Sequence, residues 1–163
     1  KKQCGQIRMQ QLPNIRSVAI FFDASSEDCR KEAKSVIKKL SSEHIKVQAL
    51  GFFNSKKPDM DFISDHNLYF ATLKDFSFFF LPKSEEVKEF TNATPDMFFV
   101  YASTHTFPAQ AVIELSRASL KIGFSGLWNH ALDLTFEINS LNPKDLTKQV
   151  EQYLKNGQIT VRG

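Results

Sequence analysis

The chain has 163 residues, 42% of them hydrophobic and 24% charged; it is long enough to bury roughly two-thirds of its unfolded surface and too apolar to be disordered. Its 21 basic and 18 acidic residues are interspersed, giving a net charge of +3. Basic residues gather only into pairs such as Lys38-Lys39 and Lys56-Lys57, read as solvated surface, so composition argues against a nucleic-acid partner. Phenylalanine stands out at 16 positions and is read as core material, because each buried ring removes a large apolar area from water. Two cysteines, Cys4 and Cys29, argue against a disulfide framework and make the cytoplasm the default location. No stretch approaches the roughly 20 apolar residues of a membrane span. The chain begins at Lys1 rather than at methionine, which leaves a removed signal or anchor open.

Residues 1–16 are polar and aperiodic up to Pro13 and read as a leader, with 17–163 as a single α/β domain. Ser17 to Phe22 (SVAIFF) has the continuous apolar pattern of a strand covered on both faces. Ser25, Ser26, Glu27 and Asp28 supply a helix cap and an acidic first turn. Cys29, Ala33, Val36, Ile37 and Leu40 then fall on one helical face. Lys46 to Phe53 returns to strand, completing a β-α-β unit that is right-handed and parallel in nearly all proteins.

In the middle, Asn67 to Leu73 and Phe76 to Leu81 read either as two short strands or as one strand and an aromatic loop. Pro82, Lys83 and Ser84 introduce a helix with Val87 and Phe90 inside, broken at Asn92 to Pro95. Met97 to Tyr101 (MFFVY) is a second wholly apolar strand, followed by the polar turn Ala102 to Thr106. Pro108 suits the first turn of a helix whose inner stripe is expected at Ala111, Val112 and Leu115. Leu120 to Phe124 is a short strand. Leu132 to Ile138 alternates apolar and polar residues, placing Leu134 and Phe136 inside and Asp133 and Glu137 in water, as on a strand near a sheet edge. Asn142-Pro143 caps a last helix with Leu146, Val150, Tyr153 and Leu154 inside, stopped by Asn156-Gly157. Alternating strands and helices predict a three-layer α/β sandwich, Rossmann-like, with a mostly parallel sheet of about six strands.

No G-x-G-x-x-G, G-x-x-x-x-G-K-[ST] or G-x-S-x-G is present, and the four histidines (44, 66, 105 and 130) are scattered singly. No cofactor or metal is assigned. In an open α/β sheet, ligands bind beyond the carboxyl ends of the strands, where the strand order reverses. The ligand-binding candidates there are Asp23, Ser25, Ser26, Ser103, Thr104 and His105: an acid, hydroxyls, an imidazole and two helix N-termini that attract an anion. Their plainer role is capping, which Ser25, Ser26, Thr104 and Thr106 do at such positions. A nucleophilic set of Ser103, His105 and Asp23 lacks a nucleophile elbow and an oxyanion hole, so no catalytic residue is assigned. Cys29 reads as a small buried side chain, and Trp128, before Asn129 and His130, as closing the sheet edge.

Two resemblances add to this reading. Pro95-Asp96-Met-Phe-Phe-Val100 and Ser116-Arg-Ala-Ser-Leu-Lys-Ile-Gly-Phe124 are similar to the N-terminal half of heptosyltransferase-type glycosyltransferases. Tyr101-Ala-Ser103-Thr104 replaces that family's acidic, glycine-containing turn, and the donor-binding domain is missing, so the resemblance implies topology rather than activity. Ser17 to Tyr153 also resembles an uncharacterised bacterial family of unknown function. The shared features are a first strand ending in F-D, the L-G-F strand end, D-F-x-x-F-x-x-P-K (Asp75 to Lys83), S-x-A-x-x-K-x-G (Ser116 to Gly123) and N-x-x-x-D-L (Asn129 to Leu134). This resemblance implies the fold and a bacterial source, and assigns no activity.

Two function classes follow. One is a non-catalytic binding or interaction module whose partner is a small ligand or a protein. The alternative is a small glycosyltransferase-like or nucleotide-binding enzyme using the carboxyl edge of the sheet. A deep polar pocket at the Asp23 and Ser103 loops would mark the second, and a flat, phenylalanine-rich patch the first. Oligomeric state stays open.

Overall fold

In a computed structural model, which describes residues 15–58, 64 and 67–156, the two wholly apolar runs become the centre of one sheet. They are β1 (Ser17–Asp23) and β4 (Met97–Tyr101), paired in parallel with Val18 opposite Met97 and Ile20 opposite Phe99. Val18, Ile20, Phe98 and Val100 are at most 2% exposed, as strands covered on both faces require. The other strands are β2 (Lys46–Phe52), β3 (Leu68–Ala71), β5 (Leu120–Phe124) and β6 (Leu134–Phe136). Among the described residues the sheet order is β3-β2-β1-β4-β5-β6, parallel throughout.

Among the described residues four α-helices cover it: α1 (Glu27–Ser42), α2 (Glu85–Asn92), α3 (Phe107–Leu115) and α4 (Pro143–Asn156). Each strand alternates its side chains between two cores. Ile20, Phe22, Phe99 and Tyr101 meet Ala33 of α1 and Leu146 of α4, whereas Phe21, Phe98 and Val100 meet Val87 of α2 and Ile113 of α3. This is the three-layer Rossmann-like sandwich. Gly51 makes one close approach possible: a Cβ there would lie 2.6 Å from the ring of Phe22, which packs edge-on against Phe70.

Helix starts follow the capping chemistry. Ser26, Ser84 and Thr106 each accept a hydrogen bond from the third backbone N–H beyond them, and Asn142 Oδ1 accepts from Lys144 and Asp145. At the amino edge, Asp96 Oδ2 accepts from the backbone N–H groups of Arg16 and Ser17, tying the entry of β1 to that of β4. Ile15 packs on the core; residues 1–14 of the expected leader, Cys4 and Gly157 lie outside the described residues.

Edge strand β6 keeps the expected register, with Leu134 and Phe136 buried and Asp133 and Glu137 exposed. The ambiguous middle is one strand, β3, and an aromatic loop. Two expectations are corrected. The inner face of α3 is Ala109, Val112 and Ile113, while Leu115 is 46% exposed. Apolar residues occur all around that helix, so the sequence alone carries no phase. The reading of phenylalanine as core material also fails in part, since Phe78, Phe79 and Phe107 are 90%, 77% and 66% exposed and Phe80 is exposed too.

Candidate functional site

The strand order reverses between β1 and β4, so the turns after them share the carboxyl edge at the switch point. Asp23 ends β1 and is half-buried; its Oδ1 accepts from the backbone N–H of Ser25 (3.0 Å) and from the Ser25 hydroxyl (2.6 Å). The Ser26 hydroxyl accepts from Cys29 N–H at 3.2 Å. Arg30 Nη1 donates to the Ala24 carbonyl at 2.7 Å, closing the turn from below. Acid and hydroxyls thus hold one another and the first turn of α1.

The turn after β4 divides. Ser103 is half-buried and Thr104 exposed, while His105 Nε2 lies 3.0 Å from Gln110 Oε1. Gln110 Nε2 in turn donates to Glu114 and to the Trp128 carbonyl. The His105 ring packs against Trp128 (centroids 5.3 Å apart) and edge-on against Phe107 (5.6 Å). The structure therefore gathers Asp23, Ser25 and Ser26 into one cluster and commits His105 to another. Ser103, His105 and Asp23 do not form a hydrogen-bonded chain.

Sequence reasoning missed where His105 leads. Phe107 stacks on Phe80 at 5.7 Å, giving a row of rings from buried Trp128 through His105 and Phe107 to the loop after β3. That loop is the D-F-x-x-F-x-x-P-K segment. Its base is Asp75, buried, whose carboxylate accepts from the Tyr69 hydroxyl and the Thr72 N–H, both at 2.8 Å. Burial and the Asp75 carboxylate push the Tyr69 phenol up to about 12. The Asp75 carbonyl accepts from Lys83 and Ser84 N–H, and Phe76 is buried edge-on against Phe52. Above this base, Ser77 N–H donates to the Leu81 carbonyl and Ser77 Oγ accepts from Phe79 and Leu81 N–H. Phe80 takes a φ of 64°, a left-handed conformation that is strained for a bulky residue. The tip carries Phe78 and Phe79, packed edge to face at 5.2 Å. The signal for the loop was in the sequence: three phenylalanines and a leucine between Ser77 and Pro82, with no period of either strand or helix.

Other features are quieter. Cys29 is 1% exposed, and burial pushes its thiol up to about 11, which suits a packing role. Trp128 is 2% exposed, and its Nε1 is the one buried side-chain nitrogen or oxygen without a partner among the described residues. It borders a cleft of about 380 Å³ beside Asn129, His130 and Thr135. An apolar groove of about 330 Å³ lies between α1 and α4, lined by Val36, Leu40, Met97, Phe99 and Val150, with Lys39 paired to Glu151 beside it. Among the described residues, no group of three or more His, Cys, Asp or Glu is placed to hold a metal, and no helix is long and apolar enough to cross a membrane.

No curated protein and no solved structure matches the chain. The sequence profile of DUF6913, a family of unknown function, matches residues 1–156, and the chain belongs to that family.

Proposed function

We propose that this protein is a non-catalytic interaction module whose working face is the carboxyl edge of the sheet, with the aromatic loop as its contact element. One observation carries the reading. Phe78, Phe79, Phe80 and Leu81 stand exposed on a base built from buried Asp75 and Phe76, and exposed Phe107 stacks on Phe80 beside them. Exposed apolar groups cost solubility, and a grouped, rigidly mounted set marks an interaction surface. The strained Phe80 backbone supports the same view, because strain of this kind clusters at functional positions. We place the protein in the bacterial cytoplasm, on the sequence arguments already given.

The test is photo-crosslinking in intact cells with benzoylphenylalanine at position 78 or 79, and at Thr94 on the opposite edge as control. Adducts with a protein or a lipid from the two loop positions and none from Thr94 are expected. An absence of adducts at both loop positions would remove the reading.

The strand-order reversal favours a second reading, a small anionic ligand held by Asp23, Ser25, Ser26, Ser103, Thr104 and His105, as in a nucleotide-binding or glycosyltransferase-like enzyme. A thermal-shift screen against nucleotides and nucleotide sugars tests it. Ligand at 100 times its dissociation constant would stabilise the protein by about 2.7 kcal/mol, and Asp23→Ala would change that shift.

A further inference from the structure

We infer that the aromatic loop docks the protein on an anionic lipid surface, an inference that rests on the interaction-module reading and names the partner. The first argument is shape. Phe78 and Phe79 are 90% and 77% exposed at the tip of a loop whose base is buried, so the rings project rather than pave a flat patch. Rings carried in this way can enter the boundary between headgroups and acyl chains without the rest of the fold moving.

The second argument is backbone satisfaction. A segment entering a poorly hydrated layer must bring its polar groups already paired. Of the five N–H groups from Ser77 to Leu81, four have acceptors inside the loop, namely the carbonyls of Leu81 and Ser77 and the Ser77 hydroxyl, and only that of Phe78 is left for a headgroup or water. A loop built to pair with another protein's strand would leave such donors open.

The third argument is charge. Lys74 and Lys83 flank the loop, and Lys56 and Lys57 lie in the neighbouring turn after β2, tied to it by the Leu73 N–H on the Ser55 carbonyl at 2.8 Å. All four lysines are exposed, and none enters an ion pair with a described residue. Of the two acids that follow the loop, Glu85 pairs with Lys88, and Glu86 lies beside a cleft shared with Tyr69, one helical residue further on. Lysines around an aromatic tip complement anionic headgroups, each adding roughly fivefold to partitioning near such a surface. The same ring disfavours a second copy, because a two-fold contact would set lysines against lysines.

The test uses the full chain and co-sedimentation with vesicles of phosphatidylglycerol mixed with phosphatidylcholine, against vesicles of phosphatidylcholine alone. Binding to the anionic vesicles that weakens with added salt is expected. Phe78→Ser with Phe79→Ser should lower partitioning more than tenfold, and Lys74→Glu with Lys83→Glu should lower it and flatten its salt dependence. In Phe79→Trp, emission should shift to shorter wavelength when vesicles are added. Unchanged urea midpoints for these variants show that folding is intact. No sedimentation with anionic vesicles, or partitioning indifferent to the phenylalanine variant, overturns the lipid surface. If the phenylalanine variant instead abolishes self-association or a protein crosslink, the lipid surface falls and the interaction face stands. If it changes nothing at all, both fall.

Discussion

The turn after β1 and the turn after β3 leave the same edge of the same sheet, yet they use their atoms in opposite ways. In the first, every strongly polar side chain closes the turn: Asp23 holds Ser25, and Ser26 holds the start of α1. In the second, polar atoms are confined to the base and neck, at Asp75 and Ser77, and the tip is left to phenylalanine. Polar residues at a strand end are therefore weak evidence of a site, because capping alone accounts for them. Apolar residues in water are stronger evidence, because nothing in folding requires them there.

This contrast can be broken by substitution. Within one motif, Phe76→Ala should destabilise the fold by about 3–5 kcal/mol in urea titration, since that ring is 5% exposed and packs on Phe52. Asp75→Ala, which strips two half-buried donors of their acceptor, should cost about 1–2 kcal/mol and release the loop base, seen as faster amide exchange at Thr72. Asp23→Ala opens a half-buried turn and should cost only about 1 kcal/mol. Phe78→Ser and Phe79→Ser should move stability by no more than about 0.5 kcal/mol. A large loss from Phe78→Ser, or none from Phe76→Ala, would mean that the loop is built differently.

Alkaline pH sharpens the first turn. The Cys29 thiol rises from its ordinary value of 9.0 to about 11. The unfolded chain therefore loses that proton first, and the contribution to stability present below about pH 9 falls away as pH rises toward 11. Tyr69, raised to about 12, acts in the same direction at higher pH. Urea midpoints should decline above pH 9, and Cys29→Ala should make that decline shallower. At pH 8, Cys29 should resist iodoacetamide until the protein unfolds, as peptide mass spectrometry would show.

Much of the fold was legible in the sequence because its signals are local. SVAIFF and MFFVY can be buried only as central strands, the spacing from Cys29 to Leu40 imposes a helical face, and the alternation about Leu134 imposes a register; these depend on backbone period alone. The strand order, and with it the switch point between β1 and β4, follows from which faces are buried together, which no local segment encodes. The phase of α3 was hidden because its apolar residues surround the helix, and only packing against Trp128 and Phe98 in one core selected Ala109 and Ile113 over Leu115. The exposure of Phe78 to Phe80 was hidden for the same reason: a phenylalanine carries the same transfer free energy wherever it stands, and whether that is realised depends on a neighbouring surface supplied by the rest of the chain. Asp75 and Phe76 secured their places in the interior, and the tertiary structure left the three phenylalanines above them without cover.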